Sequence, residues 1–462
     1  MMHTDTDTIA AIATPPGNGG IAIVRLSGED ALNVARRVFK SRQAMSEQME
    51  FRSHHMNFGD IYDGDEKIDE GFLCYMRSPH TYTGEDCIEF HIHGGQYLAK
   101  RVLQMLLADS RARMAQPGEF TKRAFLNGKM DLTQSEAVID LINVKTEMQR
   151  KIAIQQLSGL GSNKIKAYRN ILEEIVIITE ANIDFPEYVP EGSEKNKVKG
   201  SLMDIVSGVK TIINDSKKSL KWCKTAIIQL YGPVNVGKSS LFNAIIGESK
   251  AIVSEYPGTT RDAIEIQLDL RGFPVTIVDG AGYRHSDDAV EKLGLALSEK
   301  YFDKADLVIY VFDITEEISF DSNEILQKKK DGNSICILNK SDLSHRFHVE
   351  HLKSYFCHDD ILLTSAKTGI GISEVIDKIC SKLLPNSDTL AEACVVNERH
   401  LVCLSQVIDS LSRALESIDN DYGDDLISSD IRHAIAYIDE MTGVSATEDL
   451  LGQIFSRFCI GK

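Results

Sequence analysis

The run GPVNVGKS, Gly232 to Ser239, restricts the fold of this chain more than any other segment. Two glycines and a lysine at this spacing are useful where a strand ends and a helix begins. The apolar run TAIIQLYG precedes it and helical patterning follows it, so both halves of that context are present. In such a loop, backbone N–H groups converge on phosphate at a helix N-terminus. Lys238 supplies a cation to the outer phosphates, and the Ser239 hydroxyl suits magnesium. Val236, Gly237 and Ser240 line the same turn. The runs AIEIQLDL, VTIVDG, DLVIYVFD, SICILNKSD and ILLTSAK read as further strands. Helices are expected from Lys238, around Glu291 to Phe302, and up to Leu384. The alternation predicts a largely parallel sheet with helical cover.

Three further motifs sit at the ends of these strands. In NKSD, with Asn339, Lys340 and Asp342, the aspartate can accept both the ring N–H and the amino group of guanine. Adenine lacks that donor pair, and a desolvated carboxylate left unpaired rejects it. In SAK, Ser365, Ala366 and Lys367, a backbone amide is placed for the guanine oxygen. In DGAG, Asp279, Gly280, Ala281 and Gly282, the aspartate can hold magnesium through water and Gly282 can approach the γ-phosphate. Together the motifs imply a guanine-nucleotide hydrolase. The loop SEYPGTTRD, with Ser254, Glu255, Tyr256, Pro257, Gly258, Thr259 and Thr260, is a candidate nucleotide-contacting segment and Thr260 a candidate second magnesium ligand, in a register that only a family resemblance settles. Many such hydrolases carry a water-orienting glutamine after the DxxG element, but here Tyr283 stands there. Spacing alone names neither the residue that orients the water nor the charge that replaces an arginine finger.

A formal charge of −17 works against sequence-independent binding to nucleic acid, so any RNA contact must be local. Candidate basic surfaces are Arg111, Arg113, Lys122, Arg123 and Lys129, and then Lys217, Lys218, Lys221 and Lys224. Solvated helix faces are the simpler reading of the second group. Nine cysteines without a CxxC pair suit reduced thiols. No apolar run is long enough for a membrane span and no secretion signal opens the chain, so a cytoplasmic location is expected.

Residues 1–125 alternate strand and helix patterns and predict an α+β domain. Helical periodicity then fills residues 126–220, the βαβ block occupies 221–384, and residues 385–462 return to helix. The block therefore reads as an insertion within a helical domain.

The G motifs with GTTRD resemble the translation-factor-like GTPases, and the flanks narrow the resemblance. DTIAAIATPPGNGGIAIVRLSG, YTGEDCIEFHIHGG, PGEFTKRAFLNGKMDLTQSEA and the terminal FCIGK resemble the tRNA modification GTPase MnmE (TrmE) family over the whole chain. The resemblance implies an N-terminal folate-binding, dimerising domain, a discontinuous helical domain and an inserted Ras-like P-loop G domain. It also implies that Asn235, backbone groups of Ser254 and Tyr256, and Thr259 hold a potassium ion. Glu291 is the implied catalytic residue, acting on the attacking water when two G domains meet. Arg25, Glu89, Lys129 and Lys462 are implied around 5-formyltetrahydrofolate or a related tetrahydrofolate, with Cys459 as a candidate thiol. The implied partners are a second copy of the chain, an MnmG-type FAD protein in a heterotetramer or larger complex, and tRNA. The implied reaction places a folate-derived carbon at position 5 of a wobble uridine, giving an aminomethyl or carboxymethylaminomethyl group.

Two departures stand out: Gly280 replaces a threonine, and Asn18 replaces a basic residue common in the PPGxGG turn. Two other function classes compete with this reading. A regulatory switch on ribosomal RNA would carry a module such as a KH domain with its GxxG clamp, which no region suggests. A stand-alone one-carbon transferase would bind folate with the GTPase secondary.

Overall fold

The computed structural model describes residues 7–42, 51–184, 193–251, 264–279, 301–316, 333–344, 352–384 and 397–462. The chain divides into two compact units. One comprises Met1–Ile142, Leu157–Val206 and Val402–Lys462, and the other Asn143–Gln156 and Ser207–Leu401.

The first unit opens with β1 (Thr8–Ile12), β2 (Ile21–Ser27), α1 (Ala31–Val38), β3 (Phe39–Ser41), β4 (His55–Asp63), β5 (Glu66–Met76), β6 (Cys87–His93), α2 (Gln96–Leu107), β7 (Ala112–Met114) and α3 (Glu119–Leu126). Its seven strands form one sheet in the order β3-β4-β5-β6-β2-β1-β7. Alternate residues such as Ala22, Val24 and Leu26 face a core shared with Val34 and Val38 of α1 and Val102 and Leu106 of α2. The period of two leaves Arg25 and Glu89 on the opposite face, directly paired across β2 and β6.

The β4–β5 hairpin is an addition to the strands expected from sequence. Its apolar alternation is broken by Gly59 and Gly71. Gly71 is required by close approach, because a Cβ there would lie 2.2 Å from the His91 carbonyl oxygen of β6.

Helices α4 (Leu132–Ile142), α5 (Glu147–Leu157), α6 (Leu160–Asp184) and α7 (Ser193–Cys223) follow. The second sheet then uses β8 (Ala226–Tyr231), β9 (Lys250–Ala251), β10 (Ile264–Leu270), β11 (Phe273–Asp279), β12 (Leu307–Asp313), β13 (Ser334–Asn339) and β14 (Ile361–Leu363), with α8 (Lys238–Glu248) and α9 (Ile372–Leu383) beside it. The order is β14-β13-β12-β8-β11-β10-β9. The strands from β14 to β11 are parallel, and β10 is antiparallel to β11. Every residue of β12 and β13 is buried, as expected for strands covered on both faces. Leu241, Ile245, Val375 and Ile379 pack on one face, while Tyr310, Phe312, Leu352 and Phe356 fill the other. In such a sheet, ligands bind beyond the carboxyl ends of the parallel strands.

The chain closes with α10 (Glu398–Asp419), α11 (Asp424–Thr442) and α12 (Glu448–Phe455). Helix α11 packs along α6, tied by the Arg169–Asp439 and Arg432–Glu180 ion pairs. No helix among the described residues is long and apolar enough to cross a membrane.

Candidate functional site

Strand β8 delivers the chain into the loop before α8, and the loop is shaped by backbone that ordinary side chains avoid. Gly237 has φ +93°, and a Cβ on it would stand 2.3 Å from the Asn339 amide nitrogen. Asn235 is exposed with φ +64°, and Val236 is buried. Lys238 begins α8 and is 7% exposed. Its ammonium donates to the Gly232 and Pro233 carbonyls at 3.0 and 2.7 Å. Burial pushes its pKa down to about 8, with the Asp279 carboxylate acting in the opposite sense. Ser239 and Ser240 are exposed in the first turn of α8. At the end of β11, Asp279 Oδ1 is buried without a hydrogen-bond partner among the described residues.

The ends of β13 and β14 meet this loop. Asn339, only 2% exposed, donates to the Val236 carbonyl at 3.0 Å. Its oxygen accepts from the Ala366 N–H at 3.0 Å. Lys340 has φ +65° and donates to the Asn235 carbonyl at 3.1 Å. The Ser365 hydroxyl donates to Asp342 Oδ1 at 2.7 Å, and this hydrogen bond holds the Asp342 carboxyl below its ordinary pKa. Lys367 is exposed and adds a positive field to the same carboxylate.

Asp313 was not singled out in the sequence, yet it completes this end of the site. It closes β12, accepts from the Thr315 N–H at 2.9 Å and forms an ion pair with the Lys340 ammonium. The signal was the terminal aspartate of DLVIYVFD, a charged group at the carboxyl end of a parallel strand. Of the other expected residues, Ser254, Glu255, Tyr256, Pro257, Gly258, Thr259, Thr260, Gly280, Ala281, Gly282 and Glu291 lie outside the described residues.

A second constellation lies on the other face of the first sheet, where Arg25 stacks over Phe120 of α3 at 5.6 Å. Arg25 Nε donates to Glu89 Oε1 at 2.8 Å and its Nη1 donates to the Gly461 carbonyl at 3.2 Å, so the terminal pentapeptide joins the pair. His91 Nε2 stands 3.3 Å from Glu89 Oε2. Lys129 instead donates to the Pro79 carbonyl at 2.9 Å. The Lys462 N–H donates to the carbonyl of Cys459, whose side chain is exposed.

The first basic surface expected from sequence is largely neutralised. Arg123 is 5% exposed and pairs with Asp7, Glu85 and Glu119. Arg113 pairs with Asp7 and Glu119, Arg111 with Asp109, and Lys122 with Glu448. Asp109 and Glu119 are near their arginines in sequence, whereas Asp7, Glu85 and Glu448 are distant and no local count of charges includes them.

Comparison with known proteins agrees across the chain. The MnmE helical domain matches residues 132–459, and the N-terminus of GTP-binding protein TrmE matches residues 8–129. The tRNA modification GTPase MnmE of Clostridioides difficile (strain 630) is 42% identical over 460 residues, covering 99% of each chain. Its counterpart in Aquifex aeolicus (strain VF5) is 39% identical over 459 residues, covering 99% of this chain and 100% of that protein. The G domain of the T. maritima FeoB iron transporter is 29% identical, covering 34% of this chain and 99% of its own at a TM-score of 0.27. With both matched regions in order and relatives this similar from end to end, the chain belongs to the tRNA modification GTPase MnmE family.

Proposed function

We propose that this protein is a potassium-dependent GTPase which, with an MnmG-type flavin partner, modifies position 5 of the wobble uridine of certain tRNAs using a folate-derived carbon. The observation that carries the reading is the joining of guanine-reading and phosphate-binding elements through Asn339, with Asp342 kept ionised by Ser365. A carboxylate held charged in that position accepts from guanine and has no matching donors in adenine.

Hydrolysis is assembled from positioned groups. The amides of the loop from Asn235 to Ser240 and the Lys238 ammonium hold the phosphates, and Lys340 braces the loop through the Asn235 carbonyl. The orphaned Asp279 oxygen suits the hydration shell of a magnesium ion, with Ser239 and Thr260 as direct ligands. When bound, that ion neutralises charge between the β- and γ-phosphates. The exposed Asn235 side chain fits a potassium site shared with Ser254, Tyr256 and Thr259, which would supply the positive charge of an arginine finger. Glu291 would orient the water once two G domains of a homodimer face each other.

The Arg25–Glu89 pair offers donors and an acceptor side by side, as a pterin edge requires, and supports a tetrahydrofolate site with Lys129 and Lys462. When bound, 5-formyltetrahydrofolate or a related tetrahydrofolate would supply the one-carbon unit. Cys459, two residues before the Gly461 carbonyl that Arg25 engages, is the candidate thiol. The cytoplasm is the proposed compartment.

Single-turnover GTP hydrolysis in potassium and sodium chloride at equal ionic strength tests the potassium requirement. Potassium should be faster by about tenfold or more, in keeping with the weight of one positioned charge. Equal rates would remove the ion site from Asn235.

A further inference from the structure

Four arginines of the first unit are exposed and have no carboxylate partner among the described residues, Arg36, Arg52, Arg77 and Arg457, and the first three belong to neighbouring segments. Their neighbours are otherwise used. Arg37 pairs with Asp109, Arg42 with Asp60 and Glu70, and Arg101 with Asp63. The three converge on one place. Arg36, at the end of α1, stacks over Phe51 with 5.9 Å between guanidinium and ring centroid. Arg52 follows Phe51 in the turn that enters β4, where the His55 N–H donates to the Arg52 carbonyl at 3.3 Å. Arg77 leaves β5 beside that turn, its N–H donating to Ser53 Oγ at 3.0 Å. Between them Tyr75 binds the turn through the His54 N–H at 2.7 Å, and its hydroxyl feels the charge of both Arg36 and Arg77. The nearby acid is Asp86, which accepts from the Tyr75 hydroxyl and the Ser78 N–H, each at 2.8 Å, and keeps its charge without forming an ion pair to any of the three arginines.

We propose that Arg36, Arg52 and Arg77 form a contact site for the phosphate backbone of tRNA. The proposal rests on the tRNA-modifying reading and adds the surface that meets the substrate. On a chain of net charge −17, only cations left unneutralised locally can hold a polyanion. Guanidiniums fit phosphate bidentately, and the ring under Arg36 limits the freedom that binding must remove. Ser53, His54 and His55, which follow Arg52 in the turn, are polar, and Met56 is the exposed apolar residue beside them. Guanidiniums on such a mainly polar turn suit backbone contact, which positions RNA without reading its bases.

Anisotropy of labelled tRNA, titrated with the full-length chain at several potassium chloride concentrations, tests the site. The triple variant Arg36→Gln, Arg52→Gln, Arg77→Gln should weaken binding by about 10- to 100-fold. It should also flatten the plot of log affinity against log salt by about 2, with roughly 0.7–0.9 lost per phosphate contact. GTP hydrolysis and thermal midpoint should not change. The triple Arg→Lys variant should keep the salt slope, and Arg42→Gln, whose charge is already paired, should change affinity less than about twofold.

Unchanged affinity and slope in the triple Gln variant, with normal binding by the unaltered chain, would overturn this site alone. Absence of tRNA binding by the unaltered chain, with and without GTP, would overturn the substrate reading and the site together. Loss of polyglutamate binding with tRNA affinity retained would assign the patch to an acidic protein and also overturn it.

Discussion

The side-chain amide of Asn339 donates to the backbone carbonyl of Val236 at 3.0 Å, joining the guanine end of the site to the phosphate loop. The same side chain accepts from Ala366 and packs against Gly237, so one residue fixes three segments. Asn339→Ala leaves the buried Val236 carbonyl unpaired, at about 1–3 kcal/mol, and frees the half-buried Ala366 N–H. GTP affinity should fall by about 10- to 100-fold in a titration with a fluorescent GTP analogue.

Lys238 gives the site a pH dependence. Burial lowers its pKa to about 8 from an ordinary 10.5, so between these values the unfolded chain binds the proton that the folded chain has released. The nucleotide-free protein should therefore gain stability from this group as pH rises from about 8 to 10.5, and carry its full burial penalty below 8. Nucleotide binding runs the other way. Phosphates favour the charged ammonium, so GTP binding above pH 8 takes up a proton and weakens with pH. Calorimetry in buffers of different ionisation enthalpy should show that uptake, with affinity falling about tenfold between pH 7 and 9. No uptake at pH 9 would place Lys238 away from the phosphates.

Asp342→Asn should lower GTP affinity by at least about a hundredfold and raise relative affinity for xanthosine triphosphate. The amide presents a donor where guanine also presents one, whereas xanthine presents an oxygen. Competition between the two nucleotides reads this directly. An unchanged preference for GTP would move guanine reading away from Asp342.

The nucleotide site was legible in the sequence because its chemistry sits at strand ends, and strands buried on both faces read as unbroken apolar runs such as SICILN and LVIYVF. Asp313 was missed because its role depends on a Lys340 ammonium 27 positions away. The hairpin of β4 and β5 was missed for a related reason: its glycines are explained by close backbone approach, which no local pattern reveals. Charge was the least legible property. Arg123 looked like surface, but its partner Asp7 lies 116 positions earlier, and the unpaired arginines became visible only once every paired one had been placed. The family resemblance supplied the potassium, folate and Glu291 roles, which no spacing derived.

The reading of a GTPase that modifies tRNA is met most directly by mass spectrometry of tRNA nucleosides from cells lacking this gene, complemented with the unaltered chain or with Asp342→Asn. Deletion should abolish the modified wobble uridine, the unaltered chain should restore it, and Asp342→Asn should leave most of it missing. A nucleoside profile unchanged by deletion would contradict the proposed function, and full restoration by Asp342→Asn would separate the modification from guanine-nucleotide binding.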